Sequence, residues 1–260
     1  MAKKSVWLTW MPIEAGAPSP QAAVQALDKT GFAVTGAPWV HAPKDLAWSE
    51  LAQQLKEATG PEVWVIAARR QDLANADHRF GLAMTAALLR ADRSKPPHIV
   101  LLGLDGLPDV GGLPTLLQSC LRLDGSGAGW PAKLLVATMA AASVPAEPFR
   151  LRCCAHKMFG LWLEVGPASG SWRGATVGVA GAKISNHAVG PRGGLPDRTV
   201  LEYQLEGLEL DVAGATFHAF AVQNQLTDAD SYYVKVDGRP SQVLLGQHLD
   251  VDAEVAVLTF

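Results

Sequence analysis

Short apolar runs alternate with segments of helical periodicity along residues 1–148. The runs lack the regular polar alternation of half-exposed strands, which is typical of parallel strands covered by helices on both faces. This alternation predicts βαβ units. The predicted strands are Val6–Trp10, Phe32–Val34 with an extension through Val40 left open, Val63–Ala67, Ile99–Leu104 and Leu134–Thr138.

Four helices are predicted between these strands. The first has Ser19 as N-cap, Pro20 at the first helical position and Gly31 as its stop signal. The others are expected over Trp48–Leu55, Phe80–Leu88 and Pro114–Leu123. Five parallel strands joined by right-handed crossovers predict an α/β fold with a flavodoxin-like, doubly wound five-stranded sheet.

The pattern changes to closely spaced strands with turn signals from Phe159 onward. This half is predicted to form a β-rich C-terminal domain or extension with little helix. We place the domains at 1–148 and 149–260, with a boundary anywhere between about Ala141 and Gly160. The predicted strands are Leu161–Val165, Thr176–Ala180, Thr199–Leu205, Leu208–Val212, Thr216–Val222, Tyr232–Val236, Gln242–Leu245 and Val255–Phe260.

Composition narrows the choice of partners. The chain is 48% hydrophobic and 18% charged with a formal charge of −3, which indicates a packed globular core and argues against nucleic acid as a partner. The apolar stretch Val6–Ile13 is too short for a signal sequence or a membrane span, so no membrane partner is expected. Three cysteines without a secretory signal favour a cytoplasmic location.

The segment Gly174–Gly194, GATVGVAGAKISNHAVGPRGG, has the composition of a phosphate-binding loop. Its spacing does not fit, because Lys183 falls one residue late for a Walker A loop and no helix is predicted after it. We expect a β-hairpin or bulge in which the glycines permit a tight backbone path.

Known catalytic and metal motifs are not matched. Cys153 and Cys154 are adjacent, with His156 nearby, whereas a zinc site needs Cys-x-x-Cys spacing and a second pair. We therefore expect buried small side chains here and no metal site. No Gly-x-Ser-x-Gly elbow and no Gly-x-Gly-x-x-Gly turn after the first strand occur, so neither an α/β-hydrolase nor a dinucleotide-binding domain is predicted.

The order of elements around Asp77–Phe80, which opens the third helix, resembles that of TIR domains over at most the first half of the chain. NAD-cleaving members of that family carry a catalytic glutamate on this helix. Here Leu82, Ala83 and Met84 occupy the region. The resemblance therefore extends to element order and does not imply NAD cleavage.

Position in the predicted fold gives a candidate site. Open α/β sheets bind ligands beyond the carboxyl ends of their strands at the switch point, here between the first and third strands. The adjacent arginines there could clamp an anion, or one could form an ion pair with Asp72 or Asp77 at a helix start. Thr138 is expected at the same edge. The predicted ligand-binding residues are Trp10, Glu14, Arg69, Arg70, Asp72 and Asp105.

The predicted fold and candidate site are compatible with two functions. The first is a non-catalytic protein whose flavodoxin-like domain binds a small anionic ligand or a protein partner and whose β-rich domain mediates assembly, for example as a homo-oligomer. The alternative is an enzyme acting on a nucleotide-like or acyl substrate, with Glu14 or Asp72 as base and Arg69 or Arg70 as anion clamp. The sequence does not identify a cofactor. Because no residue spacing marks a catalytic acid, base or nucleophile, the non-catalytic function is preferred.

Overall fold

A computed structural model of the chain describes residues 3–11, 20–42, 46–57, 60–92, 95–140, 146–248 and 254–260. The chain divides into two compact units, Met1–Pro145 and Ala146–Phe260. We call them unit 1 and unit 2.

Unit 1 contains a five-stranded sheet in which every neighbouring pair is parallel. The strand order is β2-β1-β3-β4-β5, the flavodoxin-like order expected from the sequence, so this prediction is confirmed. The second strand is longer than its apolar core and runs to Pro38. The strands are β1 (Lys4–Trp10), β2 (Phe32–Pro38), β3 (Val63–Ala68), β4 (His98–Gly103) and β5 (Leu121–Asp124).

Helices cover both faces of this sheet. Alternate residues of its central strands point to opposite faces, and both sets are apolar and buried. Val65 packs in one cluster with Leu27 and Leu134 from two helices, while its neighbours Trp64 and Ile66 are fully buried on the other face. The helices after β2 and β3 pack against each other. The helices are α1 (Pro20–Lys29), α2 (Trp48–Lys56), α3 (Arg70–Ala74), α4 (Ala76–Asp92) and α5 (Trp130–Ala137).

The predictions for the last helix and strand of unit 1 are wrong. Pro114–Leu123, predicted as a helix, is a 3-10 turn at Thr115–Leu117 followed by β5. Leu134–Thr138, predicted as a strand, lies in α5 and the turn after it. A short apolar run does not distinguish a strand from a helix. The signal that decides is Pro131 in the first helical turn, a position that proline favours.

Unit 2 consists of two antiparallel sheets, and its residues 146–248 and 254–260 contain no helix. This β-rich character was expected. One sheet has the order β6-β7-β12-β9 and the other β10-β11-β8-β13-β14. The strands are β6 (Phe149–His156), β7 (Gly160–Pro167), β8 (Ser171–Ala180), β9 (Lys183–Pro191), β10 (Leu205–Val212), β11 (Ala215–Thr227), β12 (Asp230–Asp237), β13 (Gln242–Gly246) and β14 (Val255–Thr259).

Two strands of unit 2 were missed and one predicted strand is absent. The missed strands are β6 and β9, whereas residues 199–204 form no strand. Asn224 holds this connection instead: its side chain accepts from the Glu202 amide at 2.9 Å and donates to the Val200 carbonyl at 2.9 Å. A side chain on β11 thus satisfies backbone groups that a strand partner would otherwise take.

The hairpin expected in the glycine-rich segment is wrong, because β8 pairs with β11 and β13 in the five-stranded sheet whereas β9 pairs with β12 in the four-stranded sheet. The bulge that was the alternative fits β9, whose register with β12 shifts between Ile184 and Asn186. Gly181 turns the chain with φ +73, a conformation that glycine adopts without strain. At the far end of β9, the Gly193 amide donates to the Glu164 carboxylate at 2.8 Å and the Gly194 amide to the Tyr233 hydroxyl at 3.2 Å. These two amides are bonded to oxygens of the protein itself.

Candidate functional site

The sheet of unit 1 brings most of the predicted site residues to one edge. Trp10 ends β1, Arg69 follows β3, Asp105 lies just after β4, and Asp124 ends β5. Because all five strands are parallel, these carboxyl ends share the same side of the sheet. We call this group the carboxyl edge. Glu14 lies outside the described residues.

Arg69 and Asp72 form an ion pair at the start of α3. The Asp72 carboxylate accepts from the Arg69 amide at 2.8 Å, from Nε at 3.1 Å and from Nη2 at 3.3 Å. The Asp72 side chain is only 10% exposed. Of the two alternatives open for the adjacent arginines, the ion pair is therefore observed at Arg69.

Arg70 and Asp105 connect the ends of β3 and β4. The Arg70 amide donates to both carboxylate oxygens of Asp105, at 3.1 and 3.2 Å. The Arg70 side chain lies over Gly106, with Nη2 3.0 Å from the position that a Cβ on Gly106 would take. Gly106 has φ +121, so the loop needs glycine both for its backbone and for the room it leaves.

Asp124 extends the charged surface to the end of β5. Hydrogen bonds from the Ser126 hydroxyl and amide lower the pKa of the Asp124 carboxyl, and the positive charges of Lys133 and Arg70 lower it further. Arg70 therefore lies within electrostatic range of Asp124. The exposed Arg70 guanidinium occupies a central place between the ends of β3, β4 and β5.

A histidine pair, missed by sequence reasoning, lies at the same edge beside β1 and β2. The Trp39 amide donates to the Trp10 carbonyl at 2.7 Å, which directs the chain after β2 past the end of β1. The rings of His41 and His78 meet edge to face with centroids 5.0 Å apart. His41 Nε2 lies 3.9 Å from Asp77 Oδ2.

His78 is buried and held in one orientation. Its Nδ1 lies 3.0 Å from the Asp72 carbonyl oxygen, which only accepts, so Nδ1 carries the proton and Nε2 the lone pair. Burial lowers the pKa of His78, more than the neighbouring Asp72 raises it. The ring is therefore neutral at pH 7. Because His41 and His78 belong to different elements, no local pattern in the sequence indicates their contact.

Thr138 is not part of this site, and its predicted position is wrong. Its carbonyl accepts a hydrogen bond from the Lys4 ammonium at the start of β1, and the next turn places the Ala140 carbonyl 3.0 Å from His98 Nε2 at the start of β4. Thr138 lies at the amino ends of the strands because α5 runs back along the sheet from the end of β5.

The cysteines noted in the sequence differ in burial. Cys153 is buried as expected, whereas Cys154, also expected to be buried, is only partly buried and accepts a hydrogen bond from Arg152 at 3.1 Å. Burial raises the pKa of the Cys120 thiol to about 11, so that thiol is protonated at neutral pH. In the described ranges, no group of three or more His, Cys, Asp or Glu side chains is arranged to hold a metal ion.

No family model matches the chain, and no curated protein matches it either. None of the helices in the described part of the chain is both long and apolar enough to cross a bilayer.

Proposed function

We propose that unit 1 binds a small anionic ligand at the carboxyl edge and does not transform it. The observation that supports this most directly is the difference between the two adjacent arginines. Arg69 is held by Asp72, whereas the guanidinium of Arg70 is exposed over Gly106. A planar guanidinium at a sheet edge suits a carboxylate or phosphate, which it can bind through two parallel hydrogen bonds.

The carboxylates of the edge support binding rather than catalysis. Asp72 accepts three hydrogen bonds from Arg69, and Asp105 accepts from the Arg70 amide. The oxygens of these carboxylates are occupied by hydrogen bonds within the protein, so a substrate proton would have to compete with them. Asp72, one of the two bases considered from the sequence, is therefore an ion-pair partner in this proposal.

An enzyme acting on a nucleotide-like or acyl substrate is the second candidate, with His78 as its base. The neutral His78 ring has its Nδ1 proton fixed by the Asp72 carbonyl, so its Nε2 lone pair is the one that could take a proton. The half-exposed His41 beside it could pass that proton toward solvent.

We also propose that unit 2 carries an interaction surface for a protein partner or a second copy of the chain. Val200 and Tyr203 are 77% and 79% exposed on a connection that Asn224 holds in place. Large apolar side chains on an ordered surface are typical of interaction sites. Sedimentation velocity of the intact chain and of a Val200→Ser, Tyr203→Ser variant tests the self-association form of this proposal.

A thermal-shift screen of the intact chain tests the ligand proposal. The compounds are ATP, NAD, FMN, coenzyme A and acetyl coenzyme A, each with an anionic group suited to Arg70. A ligand that binds only the folded state raises the Tm in proportion to its occupancy. We expect at least one to raise the Tm and to be recovered unchanged by chromatography. Conversion that is lost in His78→Gln would favour the enzyme, and no shift with any compound would contradict the proposal.

A further inference from the structure

The turn between β6 and β7 presents two large apolar side chains to solvent. Met158 is 81% and Phe159 58% exposed. The turn spans His156–Gly160, and Gly160 closes it with φ +76. We call these five residues the β6–β7 tip. Adjacent exposed apolar side chains on a hairpin tip form a convex surface, unlike the concave pockets that bind small molecules.

The β6–β7 tip is held in one shape by local contacts. The Met158 amide donates to His156 Nδ1 at 3.2 Å, and the Phe159 amide donates to the His156 carbonyl at 3.1 Å. The ring centroids of His156 and Phe159 lie 4.9 Å apart. Trp162 on β7 adds a hydrogen bond from its indole nitrogen to the Phe159 carbonyl at 3.1 Å. The apolar side chains are therefore presented by an ordered turn.

Basic residues lie beside the tip, at the same end of the four-stranded sheet. The Lys235 stem passes 3.5 Å from the position of a Cβ on Gly160, and Asp237 lies opposite Lys183 in the register of β12 and β9. Lys157 is in the tip itself. Asp237 is the one acid among the described residues of these strand ends, against the basic residues Lys157, Lys183, Lys235 and Arg239. The chain as a whole carries −3, so positive charge is concentrated here.

We propose that the β6–β7 tip docks on an anionic lipid surface. Met158 and Phe159 enter the boundary between headgroups and acyl chains, and the basic residues contact the acidic headgroups. Trp162 lies where an indole is favoured, between an apolar and a wet region. A convex apolar tip with basic residues beside it complements a soft negative surface. The sequence expectation of no membrane partner rested on the absence of a spanning segment, which surface docking does not need.

Vesicle sedimentation with the full chain tests this proposal. The probes are phosphatidylcholine vesicles with and without phosphatidylserine, at low and high salt. We expect sedimentation with the phosphatidylserine mixture, weakened by salt because the charge attraction is screened. Met158→Ser, Phe159→Ser should weaken binding at least about tenfold, and Lys157→Glu, Lys235→Glu should abolish the preference for phosphatidylserine.

The matched control is Val136→Ser, Met139→Ser, which removes two apolar side chains of similar exposure, 68% and 76%, from unit 1. It should bind vesicles as the unchanged chain does. The proposal is overturned if the unchanged chain does not sediment, or if the tip and control variants lose binding equally. It is also overturned if sedimentation velocity shows that the unchanged chain self-associates and that Met158→Ser, Phe159→Ser loses vesicle binding only because it no longer self-associates. None of these results bears on the ligand proposal for unit 1.

Discussion

Arg69 and Asp72 are joined at two points, with Nε and Nη2 of the guanidinium 3.1 and 3.3 Å from the two carboxylate oxygens. The same carboxylate accepts the Arg69 amide at 2.8 Å and closes the first turn of α3. The pair fixes the corner between β3 and α3. It also separates the roles of two adjacent arginines, since only the second presents an exposed guanidinium to the carboxyl edge.

Replacing Asp72 by Asn should lower the free energy of unfolding by about 2 kcal/mol, because hydrogen bonds to a charged partner are lost while Arg69 stays partly buried. Urea unfolding measures the change. Asp105→Asn is the matched control. That side chain is exposed and its amide oxygen still accepts the Arg70 amide, so it should change stability by less than about 0.5 kcal/mol. Equal losses in both variants would contradict the role given to the ion pair.

Acid should destabilise the protein through His187 as well as His78. His187 Nδ1 lies 2.7 Å from the Tyr232 hydroxyl and Nε2 lies 3.1 Å from the Glu206 carboxylate. Burial lowers the pKa of His187 from its usual 6.5, although Glu206 opposes the shift. The same direction holds for the pKa of His78.

The direction in which the free energy of unfolding changes with pH follows from proton uptake. Below pH 6.5 the unfolded chain binds protons that the folded histidines do not. The free energy of unfolding should therefore be unaffected by these groups above that pH. As the pH falls from 6.5 toward the lowered pKa values, it should decrease by up to about 1.4 kcal/mol per pH unit for each histidine. Urea unfolding from pH 8 to 5 should show a smaller acid loss in His187→Gln than in the unchanged chain. A pH-independent midpoint would be inconsistent with this account.

The assignment of α5 as a helix is tested by a pair of substitutions. Leu134 is fully buried, whereas Val136 two residues later is 68% exposed. Leu134→Ala should cost about 2–4 kcal/mol by leaving a cavity, and Val136→Ala should cost less than about 0.5 kcal/mol. In a strand, residues 134 and 136 would point to the same face. Similar losses from both substitutions would therefore favour the strand over α5.

Gly103 at the end of β4 should not tolerate a side chain. A Cβ there would overlap the Gly106 carbonyl oxygen and lie 2.9 Å from Pro108 Cδ. Gly103→Ala should cost about 2 kcal/mol or more, because the loop carrying Asp105 must move. Gly112→Ala serves as the control, since a Cβ at Gly112 meets nothing within 4 Å. A thermal melt in which Gly103→Ala matches the unchanged chain would show that this loop is looser than described.

The hydrophobic pattern was sufficient for the sheet of unit 1 where strands were long and bounded by turn residues. β3 is buried along its whole length and was found from its apolar run alone. The hydrophobic pattern was insufficient at β5, because a strand of four residues with two partly buried positions forms no apolar run that stands out from its surroundings. In unit 2, β6 alternates buried and half-buried residues from Phe149 to Cys154, but it lies inside the predicted boundary region, where the sequence predicts no strand.

The candidate site was predictable by position but not by contact. Parallel strands place their carboxyl ends together, so Arg69, Arg70 and Asp105 were found without any motif. Which arginine is held by a carboxylate depends on side-chain geometry within α3. The meeting of His41 with His78 depends on how the chain after β2 passes α4, a tertiary arrangement that no local spacing encodes.

The central claim, that the carboxyl edge binds a small anion through Arg70, is tested most directly by calorimetric titration. The ligand is whichever screened compound gives the largest rise in Tm. The proteins are the unchanged chain, Arg70→Glu and Lys29→Glu, which reverses an exposed charge in the last turn of α1, next to the amino end of β2. We expect Arg70→Glu to weaken binding at least about tenfold, or about 1.4 kcal/mol, with an unchanged Tm in the absence of ligand. Lys29→Glu should bind as the unchanged chain does. Undiminished affinity in a folded Arg70→Glu variant would contradict the claim.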